Sequence, residues 1–365
     1  PAVYAAGRSP LVPASTTKLL TATAALEELG PDHVFTTRVV AAPRTDRIVL
    51  VGGGDPYLSA GSAEDDAPPG ADLATLARRT AAALTAQGIR AVRLGYDATL
   101  FSGPTAAPSW EADYLPDDVV SPITALWVDE GRAPDGFHRV ADPPAYAAAV
   151  FARALTRQGV AVRGSPVPTK APGAAPTLAS VESAPLAEAV ERVLEVSDNE
   201  GAEVLAHHVG LATGHPGSFA GGVAGVEQAL GGLGVPLEGA RLFDGSGLSR
   251  ANRLEPATLL GVLRVAAADD RPELRSVLTG LPVAGFTGSL AERFTSDALP
   301  GRGLVRAKTG TLTGVSGLAG LATGRDGTTM VFVLVADRID PVDTLDARAA
   351  LDGLAAALAR CRCGG

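Results

Sequence analysis

Near the start of the chain, a cluster of hydroxyls opens a stretch in which apolar residues recur at helical spacing. Ser15, Thr16 and Thr17 lead into Leu19, Ala22, Leu26 and Leu29, and Gly30 ends the run, so the pattern predicts a helix over Ser15–Leu29. Strand-like runs follow at His33–Ala41 and Arg47–Val51, and Gly52-Gly53-Gly54-Asp55-Pro56 then turns the chain. Ser59 to Ala71 is small, acidic and Pro/Gly-containing, as a loop or linker would be. Next the pattern predicts a helix over Asp72–Gln87, a strand over Ala91–Gly95, and a helix over Pro144–Gln158 with a short strand after it. Pro166, Pro168, Pro172 and Pro176 mark a second linker.

From about Thr177 helices predominate, at Pro185–Val196, Asn199–Val209, Phe219–Leu233 and Ala257–Ala268. The period then changes to that of strands at Val305–Lys308, Val315–Ala322 and Thr328–Ala336. The last two are joined by Arg325-Asp326-Gly327, a strong hairpin signal, and a helix over Val342–Arg360 follows. This order predicts an α+β fold: an antiparallel sheet built from both chain ends, flanked by helices, with one smaller α/β domain inserted. The expected boundaries are 1–66 and 176–365 for the sheet-and-helix domain and 67–175 for the insertion.

Composition fits two domains. The 365 residues exceed one typical domain, and at 46% hydrophobic they supply ample core. Aromatics are only 4%, so that core is expected to be built from Ala, Leu and Val. A net charge of −9 argues against nucleic acid or anionic lipid as a bulk partner. No apolar run approaches the roughly 18 residues of a spanning helix. The most apolar, Met330 to Ala336, reads as a strand. No signal peptide is visible, yet Pro1 is an unusual natural start, so a leader and a first strand are expected to precede it. Cys361 and Cys363, the only cysteines, lie two apart, where a disulfide closes only with strain; the fold is not expected to depend on one.

The charge carries one anomaly. Of 31 cationic side chains only Lys18, Lys170 and Lys308 are lysine. A chain that writes its positive charge as Arg keeps Lys where an ionisable amine is needed, because a desolvated Lys can lose its proton and Arg cannot. Ser15-Thr16-Thr17-Lys18 puts a hydroxyl and an amine three apart, on one face of a helix, where the helix dipole favours developing negative charge. A Lys in an apolar pocket, or beside another cation, can take the Ser proton. Ser197-Asp198-Asn199-Glu200 reads as a capping box before a helix, and its Ser and Asn also suit a proton relay and a carbonyl contact. Lys308-Thr309-Gly310-Thr311 follows a short strand, Leu304–Ala307, and reads as a turn; Gly310 would let a substrate backbone approach closely and pair along the strand edge.

Other chemistries lack their motifs. There is no Gly-x-Ser-x-Gly elbow, and His33, His138, His207, His208 and His215 have no triad or metal-ligand spacing. No Lys follows a Gly and no Gly-x-Gly-x-x-Gly occurs, so a nucleotide cofactor has no support.

The ordered set Ser15-x-x-Lys18, Ser197-x-Asn199 and Lys308-Thr309-Gly310 resembles the penicillin-recognising serine enzymes, that is, penicillin-binding proteins and serine β-lactamases. Pro10–Lys18, Val51–Pro56, Asp244-Gly245-Ser246-Gly247-Leu248-Ser249-Arg250 and Ala307–Thr311 narrow this to a resemblance, over nearly the whole chain, to the class C low-molecular-mass penicillin-binding proteins. The resemblance implies a transpeptidase-like fold and a D-alanyl-D-alanine carboxypeptidase without cofactor or metal. Its substrate would be the peptidoglycan stem peptide ending in D-Ala-D-Ala, its covalent inhibitors β-lactams, and its location extracytoplasmic. Arg-rich, Lys-poor, Ala-rich composition suggests a high-GC actinobacterial source.

By the same resemblance Ser15 is the nucleophile and Lys18 its base, and Ser197 and Asn199 complete the proton network. Lys308, Thr309 and Thr311 bind the terminal carboxylate, and the backbone N–H groups of Ser15 and Thr311 form the oxyanion hole. Asp113, Arg250 and Thr313 match a pocket for the third residue of the stem peptide, although Asp118 stands where an aromatic is expected. Larger relatives carry two inserted domains; Ser121–Pro143 is too brief for the second, so one is expected. The alternatives are a DD-endopeptidase, a β-lactamase-like hydrolase of the same fold, and an inert wall-binding homologue. The absence of an assignable deacylating carboxylate disfavours the second, and the intact motifs disfavour the third.

Overall fold

The structure is a computed structural model that describes residues 10–41, 46–61 and 70–362. It divides into two compact units, the first formed by Pro1–Pro31, Ala107–Trp110 and Val190–Gly365, the second by Asp32–Ala106 and Glu111–Ala189. The first helix, α1, spans Lys18–Leu29 and is preceded by a 3₁₀ turn over Ala14–Thr17. Ser15 therefore lies in the tight turn and not, as the sequence suggests, in the first turn of the α-helix. The hydroxyls of Thr16 and Thr17 donate back to the carbonyls of Pro13 (2.7 Å) and Ala14 (2.9 Å), competing with the α-helical ladder. Ala14 sits at φ 48°, in the left-handed region. Gly30, at φ 81°, ends α1.

The second unit is built on one mixed sheet. Its strands are β1 (Thr36–Ala41), β2 (Arg47–Val51), β3 (Ala91–Asp97), β4 (Ala161–Val162), β5 (Val167–Pro168) and β6 (Thr177–Glu182), in the order β4-β3-β2-β1-β6 with β5 also on β3. β1 runs antiparallel to β2 and β6, while β3 runs parallel to β2, β4 and β5. The parallel pairs require crossovers, and α2 (Leu73–Ala86) and α3 (Pro143–Arg157) supply them. Asp72 and Asp142 cap these helices, accepting from the N–H groups of Thr75 (2.6 Å) and Ala145 (3.0 Å). Leu76, Leu84, Phe151 and Leu155 of the helices pack with Ile48, Leu50, Val92 and Leu94 of the strands into one core.

The chain passes from the second unit to the first within α4 (Leu186–Glu195), and the first continues with α5 (Asn199–Ala212), α6 (Phe219–Gly232), α7 (Pro256–Ala266) and α8 (Ser276–Thr279). An antiparallel three-stranded sheet follows, β7 (Val305–Leu312), β8 (Val315–Thr323) and β9 (Thr329–Asp337), in that order. The closing helix is α9 (Thr344–Arg360). α1 packs against α5, α6 and α7. Behind the sheet, Leu351, Ala355, Ala356 and Ala359 of α9 meet Phe294, Leu318, Ala322 and Phe332. Cys361, just after α9, is disulfide-bonded, while Cys363 and Pro1 lie outside the described residues.

Two features differ from the expected layout. Among the described residues the antiparallel sheet draws only on the C-terminal part of the chain, because β1 and β2 pair with β6 and β3 instead. For the same reason the second unit is wider than 67–175: it takes in β1, β2 and β6. The Ser59–Ala71 stretch is a closed loop at its described ends, where the N–H of Ser59 donates to Ala71 and that of Leu73 to Ser59. The Asp-Gly hairpin is present, with Gly327 at φ 81° and Asp326 accepting from the N–H of Thr328 (3.1 Å).

A nearly buried ion pair ties the segment before β7 to α9. Arg293 donates to both carboxylate oxygens of Asp352, at 2.7 and 3.2 Å. Asp352→Ala leaves the guanidinium buried without its partner, and urea denaturation is expected to show a loss of about 3–5 kcal/mol. A variant with an unchanged midpoint would mean that the pair contributes nothing.

Candidate active site

In a 3₁₀ turn, side chains three residues apart eclipse one another, so Ser15 and Lys18 face each other directly. Lys18 is fully buried and its Nζ donates three hydrogen bonds, to Ser15 Oγ (3.1 Å), Asn199 Oδ1 (2.7 Å) and the Ser246 carbonyl (2.8 Å). Two of these partners can only accept. An amine that has lost one proton keeps its N–H groups on Asn199 and Ser246, which leaves the lone pair on the Ser15 hydroxyl, the one partner able to donate. Burial lowers the Lys18 pKa to about 8, and the negative charges of Asp198, Asp244, Glu203 and Glu200 oppose a further fall. The amine is thus readily uncharged, and its aim is fixed by two acceptors.

The Ser246 carbonyl is held by a loop with its own anchors. Asp244 accepts from Trp110 Nε1 (2.8 Å), Asn252 Nδ2 (2.6 Å) and the N–H groups of Gly247 (3.0 Å) and Ser249 (2.6 Å). Glu203 of α5 accepts from the N–H groups of Gly245 (3.1 and 3.0 Å) and Ser246 (2.8 Å). Gly247, at φ 87°, brings the loop onto the Ser15 turn; a Cβ there would lie 1.9 Å from the Ala14 carbonyl oxygen.

Asn199 opens α5, but the cap is not the one the sequence suggests. Asp198, not Ser197, is the N-cap, accepting from the N–H of Gly201 at 3.1 Å. Ser197 precedes it at φ 61°, in the left-handed region, so its hydroxyl is not committed to the helix end.

The Lys308-Thr309-Gly310-Thr311 motif also differs from its expected form. It is not a turn but the middle of β7, the edge strand of the sheet. Ala307 donates outward to Pro282 (3.0 Å), and Thr323 of β8 donates to Leu304 (2.9 Å). The two-residue alternation of an antiparallel ladder then turns the N–H groups of Thr309 and Thr311 outward as well. Gly310 serves the protein's own packing: its Cβ position lies 2.7 Å from the Pro13 carbonyl oxygen and 3.2 Å from Thr16 Cγ2, so only glycine lets β7 lie against the Ser15 turn. Lys308 is fully buried and donates to the Thr309 carbonyl (3.2 Å); burial, and next the Lys18 charge, hold its pKa well below the usual lysine range. Thr309 Oγ1 donates to Ser289 Oγ (2.9 Å). Thr311 is exposed.

Ser15, Lys18 and Asn199 are therefore joined by direct bonds, and β7 packs on the same turn. Arg250 and Thr313 also meet, through Arg250 Nη2 donating to the Thr313 carbonyl (2.9 Å). Asp113 is exposed and belongs to the second unit. Asp118, expected as a pocket substitution, shapes its own loop: it sits at φ 56° and accepts from the N–H of Arg139 (2.7 Å). Glu203, Asp244 as a brace, the Ser246 carbonyl and Ser289 escaped the sequence reading. Glu203 left a signal: an acid four residues after Asn199, on the same face of α5.

A hydroxyl paired with a buried amine, beside an open strand edge, defines a serine acyl-transfer site. Known proteins agree. The model of the D-Ala-D-Ala carboxypeptidase 3 (S13) family matches residues 2–139 and 135–358, and the chain belongs to that family of serine-type carboxypeptidases. A carboxypeptidase of Mycobacterium tuberculosis is 38% identical over 366 residues, covering 97% of this chain and 76% of the relative. The D-alanyl-D-alanine carboxypeptidase of an Actinomadura species is 31% identical, covering 88% of this chain and 72% of the relative. Among solved structures, penicillin binding protein 4 from Haemophilus influenzae superposes with a TM-score of 0.81 at 23% identity, covering 97% of this chain and 92% of that one. That likeness is one of fold, a mixed α+β architecture with helices on the sheet.

The packing of β7 on the Ser15 turn can be tested directly. Gly310→Ala is expected to push the strand edge away from Ser15 and slow labelling by fluorescent penicillin by about 10–100-fold. Thermal melting checks that the variant remains folded; a folded variant with wild-type labelling would mean that the contact is slack.

Proposed function

We propose that Ser15, Lys18, Ser197, Asn199 and Lys308 carry the D-Ala-D-Ala carboxypeptidase reaction on peptidoglycan stem peptides. Ser15 Oγ attacks the carbonyl between the two D-alanines as its proton passes to Lys18 Nζ. The oxyanion is held by the N–H of Ser15, near the start of its 3₁₀ turn where backbone N–H groups have no acceptor within the turn, and by the outward N–H of Thr311. The proton returns to the leaving amine by way of Ser197, the terminal D-Ala departs, and water hydrolyses the ester on Ser15. Lys308 and the hydroxyls of Thr309 and Thr311 receive the substrate's carboxylate, whose charge restores a proton preference to the buried Lys308 amine. Gly310 sets the distance between that strand and the nucleophile, and Arg250 with Thr313 lies one strand end further on. No cofactor or metal enters any step.

The observation that supports this reading is the three-way anchoring of Lys18, which leaves a neutral amine one direction for its lone pair. β-Lactams would acylate the same hydroxyl and leave slowly, since Asp198, Glu203 and Asp244 beside it already accept backbone donors. A peptidoglycan substrate places the enzyme outside the cytoplasm. Among the described residues no helix is long and apolar enough to cross a membrane.

Mass spectrometry after penicillin exposure, with peptide mapping, is expected to find one adduct on Ser15. Ser15→Ala should abolish both the adduct and D-Ala release without altering the melting temperature. Lys18→Arg should be nearly as damaging, because guanidinium cannot accept the proton. Retention of most activity by that variant would remove Lys18 from the role of base.

The pH dependence has a definite sign. Lys18 must be neutral to act, so acylation should rise about tenfold per pH unit on the acid side and level off above the Lys18 pKa. That pKa is about 8. A stopped-flow rate profile already flat well below that pH would rule out the amine as the titrating group.

A further inference from the structure

We infer that Glu203 is a positioning residue for acylation: by holding the loop Asp244–Gly247 from α5, it fixes the Ser246 carbonyl that aims Lys18 at Ser15. The inference rests on the proposed role of Lys18 as base. Asn199 and Glu203 stand one turn apart on the same face of α5. Asn199 reaches Lys18 Nζ directly, at 2.7 Å. Glu203 reaches it through the backbone, since its oxygens hold the N–H groups of Gly245 and Ser246, and the carbonyl of Ser246 accepts from Nζ at 2.8 Å. Asp244 ties the loop internally, accepting from the N–H of Gly247, the group that shares a peptide plane with the Ser246 carbonyl. Glu203 bonds that loop's backbone from α5, where Gly245 also packs against Ala202 and Ala206, and Thr21 of α1 donates to the Gly245 carbonyl at 2.7 Å. One face of α5 thus reaches both acceptors that aim the amine, Asn199 itself and the Ser246 carbonyl.

Asp198, Glu200 and Glu203 face Lys18 from α5 and its cap, Asp244 faces it from the loop, and Lys308 neighbours it from β7. Glu203 is fully buried, faces Asp244, and its own carbonyl accepts from His207 Nδ1 at 2.7 Å. Burial pulls His207 down to about 4, so it stays neutral. Burial, then the Asp244 charge, raise the Glu203 carboxyl, while its Ser246 and Gly245 donors oppose that rise.

Glu203→Gln keeps the size but turns an amide N–H₂ toward backbone donors. It displaces the Ser246 carbonyl, an acceptor that favours the Lys18 ammonium, and so lowers the Lys18 pKa; where Glu203 is ionised it also removes a negative charge, which acts in the same direction. In penicillin acylation measured against pH, the plateau rate is expected to fall about 10–100-fold, and the rising limb to move about one unit toward acid. Glu203→Asp, which keeps the charge one methylene short, should lower the plateau while holding the limb closer to wild type. A folded Glu203→Gln with wild-type plateau and limb overturns the inference. So does a lowered plateau with an unmoved limb, which a purely structural role would give. Should Glu203→Gln not fold, a folded Glu203→Asp with a wild-type plateau overturns it equally. Wild-type protein in the same series separates the two levels: no Ser15 adduct on it defeats the functional reading as well, whereas a normal adduct beside unaltered variants defeats this inference alone.

Discussion

A lysine ammonium sealed from water is tolerable only if its protons are taken up, and Lys18 has one acceptor for each. The rest of the first unit can be understood as the supply of those acceptors from separate parts of the chain. α1 brings the amine, the 3₁₀ turn brings the hydroxyl, α5 brings the Asn199 amide, and a braced loop brings a carbonyl. The balance is fine: burial alone would discharge the amine, and four nearby carboxylates hold it near the point of losing a proton.

That balance explains why the motif residues were legible and their braces were not. The scarcity of lysine singled out Lys18 and Lys308, because an Arg-rich chain spends lysine where ionisation matters. Asp244 and Glu203 belong to an abundant residue type, and nothing in composition distinguishes a buried acid from a solvated one. Their roles arise from tertiary packing: a carboxylate bonded by four donors becomes visible only once Trp110, Gly247, Ser249 and Asn252 converge on it.

Element positions followed the hydrophobic period closely, and the departures have local causes. α5, α6 and α9 begin within two residues of the expected starts. Threonine hydroxyls bonding backward tightened the Ser15 turn and delayed α1 to Lys18. An aspartate in β-region backbone displaced Ser197 from the capping position. Sheet membership was the least legible feature, since local pattern specifies that β1 and β2 are strands but not which strands they pair with. Long-range pairing of β1 with β6 widened the second unit beyond the composition shifts that suggested its limits.

The open edge of β7 is shorter than the strand itself. The segment Pro282–Ala284 already occupies its first half, where Ala307 donates to Pro282 and Ala284 donates to Val305. Beyond it only the Thr309–Thr311 stretch offers outward groups, so an incoming extended chain meets a filled edge after two or three residues. If the proposed substrate pairs along this edge, the ledge would act as a ruler, accommodating the tail of a peptide and requiring a chain that continues to bend off the sheet.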